Sequence, residues 1–238
     1  MKFKKIVGFG DSWMYGDELV DPTINKHYSH PDNDQYRNAN CFLGRLGAHY
    51  QVPVENYGIS GGSLHSTIWK FIQWFNQEPN PDQTLILVAL TESDRFSYIN
   101  PTAQIEKHRM VHSTWIEADD IAVPPEFKNL IKQQTVLTVC DQMSALTYQQ
   151  AVLFFDGIAS RNNLKLLQFH VSTPPICLTN IPTLIDPDFS LTHWFVHEIQ
   201  PIHDRKYIHA DGHPNELGSE LVKDRLITYI DSCTMYEC

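Results

Sequence analysis

Apolar positions along the chain fall into two spacings. Short, nearly continuous apolar runs occupy residues 4–9, 52–57, 85–90 and 164–171, and each predicts a β-strand; the uniform run at 85–90 suits a central strand covered on both faces. Between them the spacing changes to three and four. Phe42, Leu43 and Leu46 share one side of a helix predicted around residues 40–50, and Leu64, Ile68, Phe71, Ile72 and Phe75 line one side of an amphipathic helix over 63–77. Further helices are predicted at about 133–160 and 216–230. Strands alternating with helices are what a parallel sheet with crossover helices requires. Three spans lack a period: a polar loop at 17–38, and two long proline-containing insertions at about 96–128, which holds Pro124-Pro125 and should lie over one sheet edge, and 172–206. Long irregular spans in a compact domain often carry function.

Composition narrows the possibilities. A chain of 238 residues with 42% hydrophobic content can bury one full core, so residues 1–238 are read as a single domain. A formal net charge of −10 and a pI near 5.6 repel phosphates, which argues against nucleic acid and anionic lipid as general partners and leaves small molecules, glycans and proteins. The longest apolar runs fall far short of the roughly 20 residues that span a bilayer, so no membrane span is expected. The basic start of the chain runs straight into polar residues and reads as the first strand, not as a secretion signal. Five cysteines, odd in number and with no CxxC pair, argue against a disulfide framework or a thiolate zinc site and point to a reducing, cytoplasmic setting.

Chemistry concentrates where the first strand ends, at Gly8-Phe9-Gly10-Asp11-Ser12-Trp13. An open parallel sheet presents ligands at the carboxyl ends of its strands, so Ser12 is the candidate nucleophile. A serine hydroxyl attacks only with a base in hydrogen-bond reach and donors aimed at the developing oxyanion. The Gly-x-Ser-x-Gly elbow is not matched, because Met14 stands where its second glycine belongs. Three blocks in chain order carry a family resemblance instead. Gly10-Asp11-Ser12, Asn56-Tyr57-Gly58-Ile59-Ser60-Gly61-Gly62 and Asp211-Gly212-His213-Pro214-Asn215 resemble the first, second and last blocks of the SGNH (GDSL-like) hydrolases. That resemblance implies a three-layer, flavodoxin-like α/β fold with a five-stranded parallel sheet flanked by helices. It further implies a serine esterase or acyl hydrolase in which Ser12 attacks an ester carbonyl and His213 takes its proton. Ser12 N–H and Gly61 N–H would bind the oxyanion, with no cofactor, and the substrate would be a small-molecule or glycan ester.

Two positions depart from the family pattern. Thr91-Glu92-Ser93-Asp94-Arg95 stands where the third block usually reads Gly-x-Asn-Asp, so Ser93 replaces the asparagine of the oxyanion hole, with Thr91 as an alternative donor; one such donor is worth roughly 2–4 kcal/mol. The acid usually three residues before the histidine is Ala210 here, and Asp211, two before, is the nearest substitute; a backbone carbonyl is the fallback partner for His213. A non-enzymatic reading accompanies these departures, in which a catalytically weak or inactive domain of this kind binds a glycan or a partner protein. The compact form also looks like SGNH-type proteins encoded by bacterial viruses.

Other polar and aromatic clusters have simpler readings. Twelve histidines include the pairs His108/His112 and His193/His197, but without HExxH or a third ligand at diagnostic spacing no metal site is assigned. His27-Tyr28-Ser29-His30 with Asp32 and Asp34 reads as a solvated loop. Asp17, Glu18 and Asp21 read as a solvated face, or as a cleft rim that disfavours anionic substrates. Tyr98, Trp115, Trp194 and Phe195 are expected to pack the insertions onto the body more often than to stack on a ligand.

Overall fold

The computed structural model describes residues 3–24, 26–95, 97–99, 110–112, 129, 141–203 and 205–232; within these, the side chains of 97–99, 110–112, 141 and 203 are not described. Strands β1 (Lys5–Gly10), β2 (Val54–Gly58), β3 (Thr84–Leu90) and β6 (Lys165–His170) form one parallel sheet in the order β2-β1-β3-β6. Short strands β4 (Ser97–Ile99) and β5 (Met110–His112) pair antiparallel apart from it. The helices are α1 (Ser12–Tyr15), α2 (Asp34–Asn40), α3 (Phe42–Tyr50), α4 (Leu64–Phe75), α5 (Asp141–Asn162), α6 (Leu191–Trp194), α7 (Gln200–His203) and α8 (Glu216–Ser232).

Side chains of a strand point to alternate faces, and the central strands use both. Ile6, Leu85, Leu87 and Ala89 join Phe42, Leu46 and Leu226 in a core beneath α3 and α8. Val7, Phe9, Ile86, Val88 and Leu90 join Phe71, Val152 and Phe155 beneath α4 and α5. Every residue of β3 is buried, as its uniform apolar run predicts. The sheet is therefore the middle of three layers. The amphipathic helix expected at 63–77 is α4, started by a reciprocal capping box in which Ser63 and Ser66 each accept the other's backbone N–H.

Three expectations need correction. Among the described residues the sheet has four strands, not five. Beyond β6, where a fifth would run, two isolated parallel bridges, Gln168 to Leu184 and His170 to Ser190, stand in its place. Pro182 and Pro187 interrupt that segment, and a proline cannot donate to a ladder. The polar loop expected at 17–38 contains α2, whose Arg37 is buried: its guanidinium donates to Tyr28 O at 2.9 Å, pairs with Asp34 at 2.6 Å and lies 3.9 Å from the Tyr15 ring centre. The irregular span 172–206 contains α6, a π-helical turn (Phe195–Ile199) and α7. The predicted start of the long helix at 133–140, and nearly all of the insertion at 96–128 with its place over a sheet edge, lie outside the described residues, as do Trp115 and His108.

Candidate active site

Ser12 opens α1 directly beyond β1, at the carboxyl edge of the sheet where β2 and β3 flank that strand. Asp11 caps the helix, its Oδ1 accepting Trp13 N–H at 3.0 Å. Its Oδ2 accepts the Thr91 hydroxyl at 2.6 Å, and Arg95 Nη1 stands 3.7 Å away. Asp11 is fully buried, and burial raises its carboxyl pKa despite the lowering by Arg95, Thr91 and Trp13. Asn56, in the second block, donates from Nδ2 to Met14 O at 2.8 Å and accepts Gly58 N–H at 2.9 Å, tying β2 to the turn of Ser12. Gly58 has to be glycine for close approach, since a Cβ there would come within 2.3 Å of Tyr15 N.

The last block forms a tight hairpin before α8. His209 N–H donates to His213 O at 2.8 Å, Gly212 N–H to His209 O at 3.1 Å, and Ile208 bridges Pro214 antiparallel. Gly212 takes φ +96°, a conformation open to glycine and strained for other residues. This turn brings Asp211 back onto its neighbour: Asp211 Oδ1 accepts His213 N–H at 3.1 Å and Oδ2 lies 2.5 Å from His213 Nδ1. Burial opposes ionisation of Asp211, yet the backbone and ring hydrogen bonds from His213 hold its pKa below the ordinary carboxylate value. His213 Nε2 stands 2.8 Å from Ser12 Oγ. The three residues singled out by sequence block thus form one unbroken hydrogen-bonded chain. Trp13 stands beside it, its ring 6.3 Å from that of His213 and edge-on to Phe195 at 5.6 Å.

The oxyanion candidates lie on two neighbouring turns. Gly61 adopts φ +65° in the loop after β2, and Ile59 N–H donates to Gly10 O at 3.0 Å, holding that loop against the end of β1. Ser93 is buried on the segment after β3. Thr91 is a poor substitute donor, because its single hydroxyl proton is engaged by Asp11. Asp17 is not part of a solvated face: it is 5% exposed, its N–H donates to Ser12 O at 3.1 Å and its Oδ2 accepts the Ser60 hydroxyl at 2.7 Å. Burial pushes its pKa up to about 7 against the lowering by Ser60 and His213. Tyr28, read as part of a solvated loop, stands close to Ser60 and Asp17, and its pKa is raised by burial and then by the Asp17 charge.

A cavity of about 330 Å³ opens beside His213, with Trp13, Val171, Phe195 and Ile208 as its apolar wall and Arg95 and Ser172 at its polar side. The π-helical turn contributes Phe195 and Val196 to it; such turns recur at functional sites. Sequence reasoning missed Arg95 and Ser172 as lining residues and the tie between Asp17 and Ser60. The only available signal was position, since all follow strand ends closely. Trp194 packs against Phe189 and Phe195, as expected for an insertion aromatic. The rings of His193 and His197 lie 4.4 Å apart, tilted by 39°, and among the described residues no group of three or more His, Cys, Asp or Glu is placed to hold a metal. Among those residues, too, no helix is long and apolar enough to cross a membrane.

No family model matches the chain, and none of the curated proteins does. Solved structures do. The chain is similar to a member of the lipolytic G-D-S-L family from Veillonella parvula (15% identity, 94% of this chain and 96% of that one, TM-score 0.40). It is also similar to an α/β hydrolase from the metagenome of Lake Arreo (15%, 96% and 96%, 0.47) and to an acetylxylan esterase from Geobacillus stearothermophilus (12%, 96% and 94%, 0.46). At such identities and scores the activity has to be read from the site itself.

Proposed function

We propose that the protein is a serine hydrolase of the SGNH kind, acting on an ester-linked acyl group of a small molecule or glycan. The observation that carries this reading is the chain Asp211 Oδ2–His213 Nδ1–His213 Nε2–Ser12 Oγ, with links of 2.5 and 2.8 Å. In this reading Asp211 accepts the Nδ1 proton and fixes the tautomer that leaves Nε2 free to accept from Ser12. Ser12 Oγ attacks the acyl carbon as its proton passes to Nε2, and the carbonyl oxygen becomes an oxyanion. Ser12 N–H, which as the first in α1 has no acceptor within the helix, and Gly61 N–H receive that oxyanion, with the Ser93 hydroxyl as third donor. Collapse expels the alcohol, protonated by Nε2, and leaves an acyl-Ser12 ester. Water, deprotonated by His213, then releases the acid and restores Ser12. The cavity beside His213 has the size to hold one substituent of the ester.

The test is a fluorophosphonate label followed by peptide mass spectrometry, run beside p-nitrophenyl esters of increasing chain length. The expected result is one adduct on Ser12 and hydrolysis that Ser12→Ala abolishes. A folded protein that takes no label and hydrolyses no ester overturns the reading and leaves a glycan- or protein-binding domain; hydrolysis surviving in Ser12→Ala overturns Ser12 as the nucleophile.

A further inference from the structure

Asp17 is an odd residue to find where it is. Its side chain is 5% exposed, Oδ1 is buried without a hydrogen-bond partner, and Oδ2 has Ser60 Oγ at 2.7 Å. A buried carboxyl with an orphaned oxygen costs free energy that an apolar side chain filling the same space would not. Packing therefore does not call for it.

Its connections do suggest a purpose. Asp17 N–H is fixed to Ser12 O, so the residue belongs to the turn of the proposed nucleophile. Ser60 is joined to Gly61 by the peptide whose N–H is proposed to meet the oxyanion, and the other side of that loop is anchored by Ile59 N–H on Gly10 O. We propose that Asp17 is a positioning residue that clamps the Ser60–Gly61 peptide to the turn of Ser12 and so sets the direction of Gly61 N–H. This rests on the serine-hydrolase reading and assigns that machinery a residue it does not otherwise contain. The charged and titratable groups around Asp17 are Asp11, Tyr15 and Glu18 from its own stretch, Tyr28 from the following loop, and His213 from the last hairpin; Arg37 of α2 reaches this cluster through the Tyr15 ring. With Asp17 neutral, a proton on Oδ2 donates to Ser60 Oγ and leaves Oδ1 as a carbonyl oxygen, the less costly orphan. The elevated pKa of about 7 agrees with that form being populated at mildly acid pH.

The experiment compares wild type, Asp17→Asn, Asp17→Ala and Ser60→Ala at pH 6 by ester hydrolysis, fluorophosphonate labelling and thermal melting. Removing the clamp with Asp17→Ala or Ser60→Ala is expected to lower kcat about 100-fold, the size of losing one oxyanion donor, with KM changed less than about threefold. A variant combining Asp17→Ala with Ser60→Ala should be no worse than the poorer single, because both break one link. Asp17→Asn, which keeps a hydrogen bond to Ser60, should stay within about fivefold of wild type in kcat, without a lower Tm. Wild-type kcat in Asp17→Ala, additive losses in the double variant, or equal losses in the Asn and Ala variants overturn the proposal. Labelling separates the two readings. If Ser12 takes the probe in wild type and variants alike while kcat does not respond, only the clamp fails; if wild type takes no probe and hydrolyses no ester, the hydrolase reading fails.

Discussion

Two of the carboxyl groups near Ser12, Asp211 and Asp17, are built in opposite ways. Asp211 sits on an outer hairpin with its side chain 42% exposed, receives two hydrogen bonds from His213 and is held below the ordinary carboxylate pKa. Asp17 is sealed within the body, has one oxygen without a partner and is pushed up to about 7. The contrast teaches that closeness to the same histidine does not set ionisation. The count of donors against the loss of water does. These shifts favour an anion at Asp211, where an imidazolium would form, and near pH 6 a neutral carboxyl at Asp17, where an anion would oppose an oxyanion.

The comparison can be broken or sharpened in order of expected effect. His213→Ala should reduce kcat about 10⁴-fold or more, and combining it with Ser12→Ala should add little, because the two act as one unit; losses that multiply would separate them. Asp211→Asn should lower kcat by about 10²- to 10⁴-fold while Ser12→Ala remains the floor, since the amide favours the wrong tautomer. Near-wild-type turnover in Asp211→Asn would reduce the constellation to Ser12 and His213 and make the hairpin acid a loop residue.

Asp17 is tested through pH. Its folded pKa is raised, so the native state holds a proton the unfolded chain gives up. The associated stability is complete below pH 3.8 and is lost as pH rises to about 7, on the order of 4 kcal/mol in all. Asp17→Asn should therefore raise Tm relative to wild type above pH 7 and lose that advantage near pH 4. Equal differences at both values would show that ionisation is not the cause. Asp211 works in the other direction: its lowered pKa gives stability that is present above pH 3.8 and lost as pH falls through the folded value, an effect diminished by exposure. The smallest effect belongs to Thr91→Val, which removes the hydroxyl from Asp11 Oδ2 and should cost about 1–3 kcal/mol by denaturant melts. A stability unchanged by Thr91→Val would mean that Arg95 alone satisfies that oxygen.

Much of this architecture is written in local pattern. Residues 85–90 read as a buried strand because β3 is covered on both faces, so no alternation is needed, and α4 reads as a helix because one face alone meets the core. Helix α2 is hidden because it spans only seven residues and is held mainly by what Arg37 reaches outside it. The helices at 191–203 are hidden because the π-helical turn at Phe195–Ile199 breaks the 3.6-residue period between them. At the site, Ser12, Asp211 and His213 are legible because each lies in a short block tied to a strand end or a helix start. The burial of Asp17 is not, because its partner Ser60 is 43 residues away and no local rule separates a buried aspartate from a solvated one.

The broken segment beyond β6 also changes what that edge of the sheet offers to another chain. An open strand edge offers unpaired N–H and C=O groups to any other chain, and long flat edges seed aggregation. Here that edge is occupied by two single bridges, with Gln168 N–H donating to Thr183 O and Ile185 N–H to Gln168 O, between prolines 182 and 187 and beside the charges of Asp186 and Asp188. The segment satisfies part of β6 and gives an incoming strand no continuous ladder to extend. A fifth strand in full would have passed the open edge outward; an interrupted one limits it on the β6 side.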